Sequence, residues 1–73
     1  MNRIKWIRIK IDGSYRSENC TYFDNGNKPF FEIQKSAYGG WDVFVKGERV
    51  ICSIEKLSLA KFFSETILND AVA

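Results

Sequence analysis

Histidine is absent from the sequence, and cysteine and proline are scarce, with two cysteines and one proline among 73 residues. Without histidine, no imidazole is present to activate a nucleophile, to hold a metal ion or to carry protons near neutral pH. The cysteines, Cys20 and Cys52, are too few for a four-ligand zinc site and do not form a CxxC pair. We therefore expect neither a metal site nor a cofactor.

Long apolar runs are also missing, since none approaches the roughly 20 residues of a membrane-spanning helix. The first residues, Met1 to Lys5, do not resemble a secretory signal. We therefore expect a cytoplasmic protein that contacts no membrane and keeps both cysteines as reduced, half-buried thiols. A disulfide between them is the alternative.

No catalytic arrangement of residues is recognisable. The carboxylates lie mostly at turns or alternate with apolar residues, so no general acid–base pair can be placed across a cleft. Gly39 and Gly40 precede a strand and lack the Gly-Lys-Ser/Thr ending of a phosphate-binding loop, which leads into a helix. We predict that the protein is not an enzyme.

Apolar and aromatic residues are plentiful, at 45% and 15% of the chain, which is enough for one small core and a single domain over residues 1–73. Alternation with period two, interrupted by turn residues, predicts strands at 3–11, 15–23 (irregular near 17–19), 30–35, 41–45 and 49–54. No helical segment separates these strands, so the sheet should be antiparallel.

The period changes near Leu57, where apolar residues begin to recur at spacings of three and four. The apolar stripe of the predicted C-terminal helix comprises Leu57, Ala60, Phe63, Ile67 and Ala71, and its polar side comprises Lys56, Lys61, Ser64, Glu65 and Asn69. We expect an α+β fold, an antiparallel meander of about five strands with this helix packed on one face. The helix should cover Trp41, Val43, Val45, Val50, Cys52 and Ile54.

The other face of the sheet also carries apolar residues. Regular alternation places Phe44 and Ile51 there as cross-strand partners, and Phe30 extends the patch. A contiguous exposed apolar patch usually marks a contact surface, so these three residues are the predicted protein-binding site, with a second copy or another protein as partner. Two alternatives remain: the first strands curl across this face, or the residues are exposed singly.

A second candidate surface is basic. Residues 1–17 hold five cations against Asp12 alone, a balance of +4, whereas residues 18–73 hold six cations and eight carboxylates, a balance of −2. The five cations are Arg3, Lys5, Arg8, Lys10 and Arg16. They predict a nucleic-acid contact in which Trp6 and Tyr15 stack on bases, or, alternatively, the charged protection of an edge strand. The sequence pI of about 8.6 is low for a dedicated nucleic-acid binder and favours the second interpretation.

The segment from Gly39 to Val50, with the helix that follows it, resembles the glycine, Trp-x-Val-x-Val, turn, strand and helix unit of many small phage and prophage proteins. Residues 30–70 also resemble the three-strand-plus-helix arm-binding domains of phage integrases, which are related in architecture to AP2 domains. In that family the sheet face away from the helix enters the DNA major groove. By position, the resemblance implies that this face carries Gln34, Asp42, Phe44, Lys46, Arg49, Ile51 and Ser53.

Taken together, these observations predict a small accessory protein of the phage or prophage type that acts by binding protein, as a homodimer. Nucleic-acid binding by the basic first strand is the alternative function. Occupation of a host enzyme's active cleft is a third candidate.

Overall fold

A computed structural model describes residues 3–72 of the chain. Its elements follow in the order β1 (Trp6–Ile9), β2 (Ser14–Ser17), β3 (Thr21–Phe23), β4 (Asn27–Pro29), β5 (Phe31–Lys35), β6 (Trp41–Val45), β7 (Glu48–Ile54) and α1 (Leu57–Val72). Strands β1, β2, β5, β6 and β7 lie side by side in that order in one antiparallel sheet, and β3 and β4 form a separate pair. The predicted α+β class, with a C-terminal helix packed on an antiparallel sheet, is confirmed.

The predicted second strand is divided, because β2 joins the main sheet whereas β3 pairs with β4. Ser17 lies at the division: its buried hydroxyl donates to the carbonyl oxygen of Cys20 at 2.6 Å and accepts from the N–H of Phe31 at 3.1 Å. Asn25 and Gly26, with φ values of 52° and 129°, reverse the chain between β3 and β4. The Ser17 side chain thus holds the two ends of this hairpin together at the edge of the core.

The core lies between α1 and strands β5, β6 and β7. Its central cluster consists of Ile33, Val43, Ile54 and Ala60, and the residues packed against it are Trp6, Tyr15, Trp41, Ile51 and Leu57. Trp6 and Tyr15 belong to β1 and β2, so these strands extend the helix-side core at one edge of the sheet. They do not curl across the opposite face, and that alternative is wrong.

The helix is rotated relative to the predicted orientation. Ser64, predicted on the polar side, has no exposed surface and donates its hydroxyl hydrogen to the carbonyl oxygen of Ala60 at 2.9 Å. Phe63, predicted to face the sheet, is 37% exposed. Ala60 and Ser64 are small and lie one turn apart, so they let the helix approach the sheet closely. Because the serine satisfies its hydroxyl within the helix, it enters the core without an unpaired polar group.

Strand β7 leaves regular alternation twice, since its register with β6 shifts at two points. Trp41 pairs with Ile54 whereas Val43 pairs with Ile51, so two residues of β7 oppose Asp42 alone. An extra residue of this kind is a β-bulge, and it redirects the side chains beyond it. The second shift lies one residue further along β6.

The side chain of Asp42 holds the first bulge in place. Its carboxylate is buried and accepts from the backbone N–H of Ser53 at 2.9 Å and from Nη1 of Arg49 at 3.4 Å. Ser53 has a φ of 54°, which turns its N–H out of the usual ladder direction and towards this carboxylate. A side chain of β6 therefore satisfies a donor that the bulge removes from the ladder.

The bulges overturn the predicted faces of β7. Ile51 lies opposite Val43 and packs against the core, and Phe44 pairs instead with Arg49. The prediction that Phe44 and Ile51 are cross-strand partners on the open face is therefore wrong. Val50 and Cys52 are exposed, so the prediction that they lie beneath the helix is wrong as well. In a strand with two bulges, residues three apart rather than two apart reach the same face.

This geometry predicts which cysteine reacts faster. Both are free thiols, and Cys20 is half-buried whereas Cys52 is exposed. Burial raises the pKa of the Cys20 thiol and lowers its thiolate fraction, so Cys52 should react with an aromatic disulfide reagent roughly tenfold faster. Stopped-flow absorbance of Cys20→Ser and Cys52→Ser isolates each rate. A slower Cys52 would place it beneath α1, as regular alternation requires.

Candidate protein-binding surface

The three residues predicted to bind protein do not form one surface. Ile51 packs against the core from the helix side. Phe44 is half-buried on the other face, where its cross-strand partners are Glu32 and Arg49. Phe30 belongs to an aromatic cluster elsewhere, with its ring centroid 6.3 Å from that of Tyr22, at right angles to it. Within residues 3–72, the sheet face away from the helix therefore has no apolar patch that joins Phe44 to Phe30 and Ile51.

Charged residues surround Phe44 on this open face. The strand registers place one row of side chains across the sheet, in the order Ile7, Arg16, Glu32, Phe44 and Arg49. Arg49 is also paired with the Asp42 carboxylate at 3.4 Å. The two cations and two carboxylates of this face balance each other, so it presents neither a dominant charge nor an apolar surface.

A contiguous group of exposed apolar side chains lies on α1 instead. Leu59, Phe62 and Phe63 are 42%, 61% and 37% exposed, on the side of the helix away from the buried Ala60 and Ser64. The rings of Phe62 and Phe63 contact each other edge to face, with centroids 5.9 Å apart. These three side chains are neighbours at spacings of three and four, which makes them one continuous patch, here called the outer helix patch.

Two residues of the outer helix patch, Leu59 and Phe63, form the middle of a longer exposed stripe, and Phe62 lies beside it. Residues recur along this side of the chain at alternating spacings of three and four, and all are exposed: Lys56, Leu59, Phe63, Thr66 and Asp70. This heptad-like spacing is the one at which a helix presents a straight seam to a second helix. The stripe has an apolar centre, a cation at its N-terminal end and a carboxylate at its C-terminal end.

A groove runs beside the stripe. It has a volume of about 400 Å³ and is lined by Arg3, Phe62, Glu65, Thr66, Asn69 and Asp70. The segment before β1 forms one wall, because Ile4 is buried and its N–H donates to Oε2 of Glu65 at 3.2 Å. One wall of the groove is therefore apolar, at Phe62, and its rim carries charges of both signs.

The five cations predicted as a nucleic-acid contact are divided among several surfaces. Arg3 lines the groove, and Lys5 forms an ion pair with Glu18 at 3.2 Å. Arg8 and Arg16 belong to opposite faces of the sheet, since Arg8 pairs with Tyr15 and Arg16 with Ile7. Lys10 lies in the turn after β1. The described structure thus does not assemble these residues into a single basic surface.

Among residues 3–72, no three histidine, cysteine, aspartate or glutamate side chains are grouped so as to hold a metal ion. Within the same residues, α1 has neither the length nor the apolar character required to cross a bilayer. Scans against protein-family models, curated proteins and solved structures found no match to this chain. The resemblance to phage proteins and integrase domains accordingly stays a prediction.

The sequence did contain a signal for the outer helix patch. Leu59, Phe62 and Phe63 accompany the core stripe, so the apolar arc of α1 is wider than a single sheet contact requires. Sequence periodicity could not show whether the additional apolar side chains face the sheet or the solvent. The burial of Ser64 rotates α1 and turns the two aromatic side chains outwards.

Proposed function

We propose that this chain is a cytoplasmic protein-binding module that forms a homodimer through the outer helix patch of α1. The supporting observation is that Leu59, Phe62 and Phe63 form a contiguous apolar patch that residues 3–72 leave exposed. Large apolar groups gathered on one surface usually mark an interaction site. The two free thiols fit a reducing compartment. An accessory role of phage or prophage type rests on the sequence resemblance alone.

Charge along the exposed stripe favours a second copy, packed antiparallel, as the partner. If two α1 helices cross antiparallel with Phe63 at the two-fold axis, residue 56 of each lies opposite residue 70 of the other. Lys56 then faces Asp70 twice, and each Leu59 lies within one residue, or about 1.5 Å along the axis, of the level of Thr66 in the other copy. A parallel pair would place lysine against lysine and aspartate against aspartate, so the stripe complements itself in the antiparallel arrangement alone.

The same two charges are unfavourable within a single chain. A helix has a partial positive charge at its N-terminus and a partial negative charge at its C-terminus. Here the cation Lys56 precedes the first turn and the carboxylate Asp70 lies near the end. The first turn of α1 contains no acidic residue and the last turn no basic one. The charges at both ends therefore do not serve the stability of the isolated helix, whereas they do serve an antiparallel pair.

The exposed parts of the three apolar side chains amount to on the order of 300 Å², given the area of buried aromatic side chains. A stable interface buries about 800 Å² on each partner. The polar stripe residues and the groove rim around Arg3 must therefore supply the remainder, as the polar rim of an interface usually does. We expect a dissociation constant in the micromolar range.

Sedimentation equilibrium of Phe62→Ser and Phe23→Ser tests the surface. Both phenylalanines are exposed, at 61% and 81%, but Phe23 lies on β3, outside the outer helix patch. Loss of a well-packed aromatic side chain from an interface costs about 2 kcal/mol or more, which is about 30-fold in the dissociation constant. Phe62→Ser should be monomeric where the unmodified chain and Phe23→Ser are dimeric. A monomeric unmodified chain at about 0.1 mM, or equal effects of both variants, contradicts the proposal.

A charge exchange tests the antiparallel arrangement. Lys56→Glu and Asp70→Lys each put like charges together and should weaken the dimer about tenfold, whereas the double variant should regain most of the affinity. Both substitutions interact favourably with the dipole of the isolated helix, since they put a carboxylate at its N-terminus and a cation near its C-terminus. Weaker dimerisation would therefore not reflect unfolding of α1. If the double variant loses as much dimerisation free energy as the two single variants together, the helices do not cross antiparallel about Phe63.

A further inference from the structure

A second surface lies on the helix side of the sheet, beside α1. There Tyr15 of β2 and Trp41 of β6 contact each other edge to face, with ring centroids 6.0 Å apart. Nζ of Lys61, on α1, lies 4.6 Å from the centroid of Tyr15, and Nζ of Lys35, at the end of β5, lies 5.9 Å from that of Trp41. Arg8 of β1 is the cross-strand partner of Tyr15. These five residues are here called the basic–aromatic shelf.

Within residues 3–72, the three cations of the shelf have no carboxylate partner. The ion pairs of the described residues involve Lys5, Lys28 and Arg49, and Arg8, Lys35 and Lys61 belong to none of them. Five further cations of residues 3–72 also lie outside these ion pairs: Arg3, Lys10, Arg16, Lys46 and Lys56. The shelf is therefore distinguished by two lysines held over two rings that contact each other, rather than by unpaired charge alone.

The carboxylate of the adjoining β1–β2 turn, that of Asp12, is hydrogen-bonded to Ser14 and not to a cation of the shelf. Lys35 reaches the β1–β2 turn, where its Cε lies 3.6 Å from the place that a Cβ on Gly13 would occupy. Asp12 precedes Gly13, but its carboxylate accepts from the N–H and the hydroxyl of Ser14 at 2.9 and 2.6 Å. These bonds lower the pKa of Asp12 and keep it charged without bringing it to Lys35.

We infer that the basic–aromatic shelf binds single-stranded nucleic acid. Arg8, Lys35 and Lys61 contact phosphates, and a base stacks on the face of Tyr15 or Trp41 that a lysine now covers. An exposed ammonium held over a ring is bound more weakly than one hydrogen-bonded to a phosphate, so the exchange is favourable. Aromatic faces beside unpaired cations are what single strands recognise, because their bases are free to stack, whereas the bases of a duplex are already stacked.

This surface differs from both surfaces discussed above. It shares Arg8 and Tyr15 with the sequence-based expectation but replaces the other cations by Lys35 and Lys61, which the fold brings to the same place from distant parts of the chain. It is also separate from the outer helix patch, which contains none of its residues. Nucleic-acid binding and self-association are therefore measurable independently.

Fluorescence anisotropy of a labelled oligothymidylate of about 12 nucleotides, titrated with the full chain at several salt concentrations, tests the inference. Three phosphate contacts on a single strand predict that a plot of the logarithm of the binding constant against the logarithm of the salt concentration has a slope of about −2. Binding should also quench tryptophan fluorescence through Trp41. Absence of binding at low salt overturns the proposal.

Two matched variants locate the site. Lys35→Gln/Lys61→Gln should weaken binding at least tenfold and reduce the magnitude of the salt slope by about 1.4. Lys28→Gln/Lys46→Gln changes the net charge equally at the far hairpin and the β6–β7 turn, and it should bind almost as the unmodified chain does. Equal losses in the two double variants would show that only net charge matters, which overturns the site.

A polyanion without bases separates stacking from charge alone and requires no variant. Polyglutamate of matched charge should displace the oligonucleotide poorly and leave tryptophan fluorescence unchanged. If it competes as well as unlabelled oligothymidylate, the shelf is a general polyanion surface and the assignment to nucleic acid is wrong.

Discussion

Gly40→Ala is expected to destabilise the fold by about 2–5 kcal/mol, because it combines backbone strain with a clash inside the sheet. Gly40 has a φ of 76°, in the left-handed region, which is energetically unfavourable for any residue that has a Cβ atom. A Cβ there would lie 2.5 Å from the carbonyl oxygen of Ile54 and 3.1 Å from the carbonyl carbon of Ser53. Both are backbone atoms, so β6 and β7 would have to separate.

Gly39→Ala is the matched control. Gly39 also has a positive φ, of 95°, but a Cβ there meets no atom within 4 Å. Only the conformational cost of about 1 kcal/mol should appear. Urea denaturation followed by circular dichroism measures both, and a small domain of about 5 kcal/mol total stability would keep about 3 kcal/mol or less in the first variant and about 4 kcal/mol in the second. Equal destabilisation would show that strand contact at Gly40 is unimportant.

Asp42→Ala is expected to cost about 1.5–3 kcal/mol. The substitution removes the carboxylate that accepts from the N–H of Ser53 at the bulge, and a hydrogen bond to a charged group contributes about that much. It also removes the partner of Arg49, whose side chain is more than half exposed, so that contact adds little. The effect should therefore arise mainly from the backbone of β7.

Asp24→Ala provides the comparison for Asp42→Ala. Asp24 is an exposed carboxylate with a lysine partner, Lys28, at 3.9 Å, and its loss should cost about 0.5 kcal/mol or less. The reactivity of Cys52 supplies a second measurement, because a bulge that relaxes into regular alternation would turn this thiol beneath α1 and slow its reaction. If Asp42→Ala is as mild as Asp24→Ala and leaves Cys52 unchanged, the carboxylate does not hold the bulge.

The predicted protein-binding surface rested on one assumption that failed, namely that both strands of the β6–β7 hairpin alternate without interruption. Phe44 and Ile51 were assigned to the same face because they lie on neighbouring strands with compatible parity. The register shifts of β7 place Ile51 opposite Val43 instead. No residue type in Val50 to Ser53 announces these shifts, since their stabilising partner, Asp42, lies on a different strand. The positions of the bulges depend on a long-range contact.

The helix shows the same division between local and long-range information. Its start near Leu57 and its amphipathic character follow from spacing, and both agree with α1. The rotation of the helix about its own axis does not follow from spacing, because a serine counts as polar in any hydropathy pattern. Ser64 enters the core because its hydroxyl bonds to Ala60 and its small volume fits against the sheet. This rotation is what exposes Phe62 and Phe63.

The sequence by itself determined the α+β class, the antiparallel order of the strands and the C-terminal helix, because turn residues and hydrophobic period act over a few neighbouring positions. The tertiary structure alone decided which side chains are exposed together. It separated Phe44 from Ile51, turned Phe62 outwards, and brought Lys35 and Lys61 beside Tyr15 and Trp41. The physical reason is that close packing and buried hydrogen bonds between distant residues set register and rotation, and those in turn set the surfaces.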